Sequence, residues 1–196
     1  MIRQPRCPWA ESNELMTRYH DEEWGVPVRD DNTHFAFLTL ESAQAGLSWN
    51  TILQRREGYR AAFLDFDPVA VGNLTQDDVE RLMMDARIIR NRLKITATIN
   101  NALRFQEVQA ACGSFTEYIW GFVDGRAVQN EWKRMEQLPA STPLSDAFAK
   151  DLKKRGFKFV GTTTVYAHLQ AAGLVNDHLV SCFRYACIRS LGEQDM

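Results

Sequence analysis

Apolar residues along the chain recur at three- and four-residue intervals, and no stretch sustains the alternation that a half-buried strand requires. The pattern predicts an all-α protein. Phe35, Phe37, Leu38 and Leu40 mark a helix capped by Asn32 or Thr33 and closed by Gly46. A second helix runs from about Trp49 to Phe63, with Ile52, Leu53, Tyr59 and Phe63 at helical spacing. Asp67-Pro68 opens a short helical turn. Thr75 and Asp78 make a capping-box-like start before Val79, Leu82 and Met83, and a further helix holds Ile95, Ile99, Ala102 and Leu103. Ser114 and Glu117 form another capping box, opening a helix with Tyr118, Ile119 and Phe122. Residues 124–141 lose periodicity and read as a long surface connection. Thr142-Pro143 starts a helix that ends at Gly156, a helix over about 162–172 stops at Gly173, and Asn176 or Asp177 caps a last one through Tyr185.

A chain of 196 residues suffices for one compact domain, residues 1–196, and neither an internal repeat nor a low-complexity segment divides it. No apolar run is long enough to cross a membrane, and Met1 to Pro5 lack a signal core, so the expectation is a soluble, monomeric, cytoplasmic protein. The net charge of −2 argues weakly against nucleic acid, but local charge matters more than the sum. Arg87, Arg90, Arg92 and Lys94 form one basic cluster, and Lys150, Lys153, Lys154, Arg155 and Lys158 another; such runs serve either as solvated helix faces or as phosphate contacts.

Four cysteines in a reducing compartment point to metal binding or plain burial rather than disulfides. His178 and Cys182 are four apart in a segment that reads as helical, which places them on one face. With Cys7 and His20 they make a complete tetrahedral set for zinc; the alternative is two buried cysteines and two hydrogen-bonded histidines. Four protein ligands leave no open position, so such a site is structural and would clip the first residues to the last. Asp21 or Glu22 is placed to orient an imidazole.

Glu41 lies four residues after Phe37 and three after Leu38, on the same helical face, and Gln44 extends that face. It is either an exposed carboxylate at the edge of the stripe or a pocket carboxylate awaiting a polar or cationic ligand. Trp49 follows one short turn later, and aromatic rings beside one acidic group suit a flat cation.

The stretches "YHDEEWGVP" (19–27), "ESAQAGLSW" (41–49), "DARIIRNRLKI" (85–95) and "KKRGFKFVGTTTVYAHLQAAGLVNDH" (153–178) together resemble the type I 3-methyladenine DNA glycosylases. Four separated motifs, in order and covering the chain from Cys7 to Cys182, make the resemblance specific. It implies an all-helical helix-hairpin-helix glycosylase fold whose zinc site joins the terminal segments, about 1–30 and 174–190. The implied ligands are Cys7, His20, His178 and Cys182. The implied base pocket is Trp9, Tyr19, Glu41 and Trp49, with Glu41 as the catalytic candidate. The hairpin, within about 143–172, is Gly156 to Gly161, where glycines admit close approach of backbone N–H groups to a DNA phosphate. Gly156, Lys158 and Gly161 are the implied DNA contacts.

The implied reaction is hydrolysis of the N-glycosidic bond of 3-methyladenine in alkylated double-stranded DNA, leaving an abasic site and free 3-methyladenine. The alternative is a zinc-stapled helical DNA-binding module without activity. Two departures from the family stand out. Asn176 falls where related glycosylases carry a catalytic aspartate, with Asp177 beside it. Arg87 occupies a position where glycine is common, and would be strained if that turn needs a positive φ.

Overall fold

The structure is a computed structural model that describes residues 4–194. Eleven helices account for most of the described chain. They are α1 (Glu14–Glu22), α2 (Asp31–Gln44), α3 (Trp49–Leu53), α4 (Arg56–Ala62), α5 (Pro68–Gly72), α6 (Gln76–Met83), α7 (Arg92–Cys112), α8 (Phe115–Trp120), α9 (Pro143–Lys154), α10 (Thr162–Ala171) and α11 (Phe183–Gln194). Two short strands, β1 (Val128–Gln129) and β2 (Val175–Asn176), pair in parallel, Val128 with Val175 and Gln129 with Asn176. No helix is long and apolar enough to cross a membrane among the described residues.

The core forms around α7, which packs against α2, α5, α6 and α8. Phe105 of α7 stacks on Phe115 of α8 at 4.2 Å and meets Phe35 of α2 edge-on at 5.3 Å, all three rings fully buried. Asp31 ties α2 to α8: its carboxylate accepts from the Phe115 and Thr116 N–H groups and the Thr116 hydroxyl at the open start of α8. Helix α10 packs against α2 and α9. Gly173, after α10, has φ +71°, and a Cβ there would lie 2.6 Å from backbone atoms of Gly25, Val26 and Pro27. Only glycine lets the end of α10 touch the segment that carries Trp24.

Several expectations need correction. Helix α2 is capped by Asp30, which accepts from Thr33 N–H, so Asn32 and Thr33 lie inside the helix. The helix expected over 49–63 is two, broken at Gln54-Arg55, where the backbone tightens to a three-residue bond from Arg55 N–H to Ile52 C=O; neither glycine nor proline marks the break. The Thr75–Asp78 capping box is present, whereas at Ser114 only the serine half forms. The connection 124–141 carries β1 and sends Met135 and Leu138 inward to a cavity. The last helix starts at Phe183 rather than at Asn176 or Asp177, because Asn176 is spent on pairing with β1 and Asp177 on side-chain bonds. His178 and Cys182 therefore sit on the irregular stretch before α11, not on a helical face. Arg87 has no positive φ among the described residues: its backbone N–H and guanidinium bond Asp85, and Gly58 supplies the room against it, since a Cβ at Gly58 would lie 2.6 Å from the Arg87 Cβ.

Candidate active site

Glu41 projects from α2 into a cavity of about 300 Å³. Trp9, Tyr19, Trp24 and Trp49 wall the cavity, and Met135 and Leu138 contribute from the 124–141 connection. The rings brace one another: Tyr19 to Trp49 at 5.4 Å, Trp9 to Tyr19 at 6.3 Å, and Trp9 edge-on to Trp24 at 5.0 Å. Glu41 is 4% exposed, and its Oε2 is sealed from solvent without a hydrogen-bond partner. Burial pushes its carboxyl up to about 8. Burial, reinforced by the nearby Glu41 charge, likewise keeps the Tyr19 hydroxyl protonated well beyond its usual range. The Trp49 indole N–H is buried without a hydrogen-bond partner. A carboxyl left unsatisfied among aromatic faces is costly unless a ligand supplies donors or positive charge.

Lys94, on α7, holds the far end of α2. Its ammonium donates to the carbonyls of Ala43 (2.8 Å) and Ala45 (2.7 Å), fixing the turn that leads to Trp49. With Arg87 bound to Asp85 and Arg92 to Glu80, three of the four charges of the first basic cluster are used within the protein.

Directly behind the aromatic wall lies the Cys–His cluster. Tyr19 and His20 are consecutive on α1, so one faces the cavity while the other faces the cluster. The candidate ligand atoms of Cys7, His20, His178 and Cys182 all lie within 4.8 Å of one another, and all four residues are buried. The Cys182 sulfur is 3.4 Å from His20 Nε2 and 3.6 Å from His178 Nδ1, and the Cys7 sulfur is 3.8 Å from His178 Nδ1. A tetrahedral zinc with bonds of about 2.0–2.3 Å sets its ligand atoms about 3.3–3.8 Å apart. The outer bonds fix both imidazoles. His20 Nδ1 donates to Asp21 at 2.8 Å, and His178 Nε2 donates to the Trp24 carbonyl at 3.1 Å. Each ring thus turns its other nitrogen toward the sulfurs. The two sulfurs influence each other in opposite directions: the neighbouring Cys182 raises the Cys7 thiol, and Cys7 with the two imidazoles lowers that of Cys182.

At the α9–α10 connection, Gly156 adopts φ +90°. Asn101 of α7 clamps the loop: its amide accepts from Lys158 N–H at 2.7 Å and donates to Lys158 C=O at 2.9 Å. The Lys158 backbone N–H is thereby spent, while its side chain is exposed. Gly161, at the start of α10, has ordinary extended φ, no side-chain cap, and open space where a Cβ would stand. Nothing in the fold demands glycine there.

Asn176 and Asp177 face inward. Asn176 donates to Gln129 Oε1 and the Tyr185 carbonyl. Asp177 accepts from Asn130, Trp132, Tyr166 and Gln170, so neither residue is free to meet a nucleophile. Besides the predicted Trp9, Tyr19, Glu41 and Trp49, the cavity takes in Met16, Trp24, Gln44, Ala167 and Gln170. Trp24 belongs to the same motif as Tyr19 and could have been singled out. Ala167 and Gln170 are three apart on α10 and face the cavity only because α10 docks on α2.

A buried carboxyl inside a four-ring aromatic cage defines a receptor for a flat, electron-poor ring. Comparison with known proteins gives that receptor a family. The methyladenine glycosylase family profile matches residues 9–185. DNA-3-methyladenine glycosylase 1 of Escherichia coli K12 is 48% identical over 180 residues, 92% of this chain and 96% of that one. A crystal structure of 3-methyladenine DNA glycosylase I superposes with a TM-score of 0.89 at 49% identity, covering 91% of this chain and 98% of the other. The Staphylococcus aureus enzyme, whose structure describes its recognition of 3-methyladenine, gives a TM-score of 0.88 at 37% identity, covering 91% and 95%. The chain belongs to the methyladenine glycosylase family.

Proposed function

We propose that this protein is a DNA-3-methyladenine glycosylase that hydrolyses the N-glycosidic bond of 3-methyladenine in alkylated DNA. The observation that carries the reading is Glu41, a buried carboxyl with an unpartnered oxygen inside an aromatic cage. The E. coli relative bears that activity in its name, and the S. aureus relative recognises 3-methyladenine.

Methylation at N3 makes the adenine cationic and a good leaving group. The damaged nucleotide leaves the stack, and damage lowers the cost of doing so. Trp9, Tyr19 and Trp49 receive the ring by stacking and cation–π attraction, and Glu41 accepts hydrogen bonds from its edge. Water attacks C1′ and a C1′–O bond forms. The C1′–N9 electrons return to the base, neutralising its charge, and a water proton leaves to solvent. A neutral purine would leave Glu41 unsatisfied, which penalises undamaged bases. Asn176 and Asp177 take no part.

Cys7, His20, His178 and Cys182 would hold one zinc, for which the sulfur–nitrogen spacings and the two oriented imidazoles speak. Such a zinc stabilises the fold and supplies no open coordination position. The α9–α10 pair acts as a helix-hairpin-helix. Since the Lys158 N–H is already bonded, phosphate contact falls to the Lys158 ammonium and the uncapped α10 start at Gly161, with Gly156 shaping the turn. Residues 1–196 then form one domain with clipped ends, of which 1–3 and 195–196 lie outside the described residues.

The test is release of 3-methyladenine from methylated duplex DNA, with and without a zinc chelator. Release of the free base with the strand left intact is expected. Tight DNA binding with no release would favour the inactive binding module.

A further inference from the structure

We infer that Gln170 is a specificity-determining residue of the base pocket, its side-chain carbonyl accepting a hydrogen bond from the exocyclic amino group of the target purine. The inference rests on the glycosylase reading of the pocket. Its basis is the orientation of one amide. Gln170 lines the same cavity as Glu41 and the aromatic cage. Its Nε2 donates to Asp177 Oδ2 at 2.8 Å. The two ends of a glutamine amide are nearly the same size, but here chemistry fixes them: a carboxylate only accepts, so the NH₂ end must face Asp177. Asp177 is itself immobilised, buried and holding three further donors: Asn130 Nδ2 at 2.7 Å, Trp132 Nε1 at 2.7 Å and the Tyr166 hydroxyl at 2.5 Å. The Gln170 Oε1 accepts from no group among the described residues, nor is it among the sealed polar atoms. A held acceptor is therefore left for whatever fills the cavity.

Gln170 thus gives the pocket an acceptor of fixed polarity beside the Glu41 carboxyl. A 6-amino purine offers two N–H donors on its exocyclic nitrogen. A 6-oxo purine offers a carbonyl oxygen there and would set acceptor against acceptor. The pair selects methylated adenine over methylated guanine, and Gln170 adds to Glu41 a discrimination that does not depend on the positive charge of the base.

The experiment titrates wild type and Gln170→Met with two free bases, 3-methyladenine and 3-methylpurine, which lacks the amino group. Methionine keeps the length and removes both polar ends, while Asp177 retains three donors. The expected result is a three- to tenfold loss of affinity for 3-methyladenine, the size of one neutral hydrogen bond, with affinity for 3-methylpurine unchanged. Equal loss for both bases, or loss for neither, overturns the role. A wild type that neither binds 3-methyladenine nor releases it from methylated DNA overturns the glycosylase reading as well, which the wild-type titration and the release assay together reveal before any variant is made. Should Gln170→Met melt far below wild type, the Gln170 side-chain amide resonance of the wild-type protein decides: it shifts with 3-methyladenine and stays with 3-methylpurine, and identical shifts with both sink the proposal.

Discussion

At Glu41 the chemistry of the site reduces to one proton. Glu41→Gln keeps the size, removes the charge and replaces one acceptor by a donor. We expect it to lose affinity for free 3-methyladenine by about ten- to a hundredfold, the worth of a charge-assisted hydrogen bond, while excision falls with it and binding to undamaged DNA holds. Unaltered base affinity in the folded variant would remove Glu41 from recognition. The same residue sets a pH dependence. Its carboxyl rises from an ordinary 4.5 to about 8 in the fold. The folded protein then holds a proton that the unfolded chain releases, so the stability contributed is complete below about pH 4.5 and is lost as pH climbs through about 8. Melting of the wild type relative to Glu41→Gln should fall across that window, by at most about 1.4 kcal/mol per pH unit. A flat difference would mean the carboxyl reaches solvent in the folded protein. Helical spacing alone placed Glu41 on an apolar face. The part played by Gln170 was hidden, because it depends on where Asp177 points, and that is set by partners 7 to 47 residues away in sequence.

Helices whose caps and apolar stripes agree, such as α6, α9 and α10, were legible from the sequence because each carries its own start or stop signal. The break between α3 and α4 and the late start of α11 were not, since packing and a short parallel pairing impose them on segments with unbroken helical periodicity. The glycines that join elements also read alike in sequence yet have opposite roles. At Gly173 the positive φ and the backbone of residues 25–27 leave no room for a methyl group. Gly173→Ala should cost about 3 kcal/mol or more, seen as a lowered denaturant midpoint. At Gly161 the backbone is ordinary and the space is open, so Gly161→Ala should leave stability within about 1 kcal/mol. It should nevertheless weaken binding to damaged and undamaged DNA alike if a phosphate approaches the start of α10. Lys158→Ala should do the same and lower the salt slope by about one unit. A Gly161→Ala protein with wild-type DNA affinity would place the phosphate elsewhere.

Across the described residues, the segments around Cys7 and Cys182 meet at a single cluster, and that cluster lies against the aromatic cavity. Cys7 and His20 flank Trp9 and Tyr19 in sequence, and Trp9 packs edge-on against His20 at 5.3 Å. The wall of the pocket is therefore only as firm as the closure of the chain. Without a metal the four buried side chains would face one another with no common partner, and closure would rest on neighbouring contacts such as Arg6 to Asp21 and Phe183 N–H to the Pro5 carbonyl. The core around α7 is built largely from side chains outside the cluster, so the chain should stay folded, unlike a small domain built around its zinc. Stripping metal with a chelator, or making Cys182→Ala, should therefore lower the melting temperature, speed hydrogen exchange over residues 7–24 and weaken binding of free 3-methyladenine. Binding to undamaged DNA through the α9–α10 connection should persist. A metal-free protein that keeps wild-type melting, exchange and base affinity would mean that the four residues close the chain on their own.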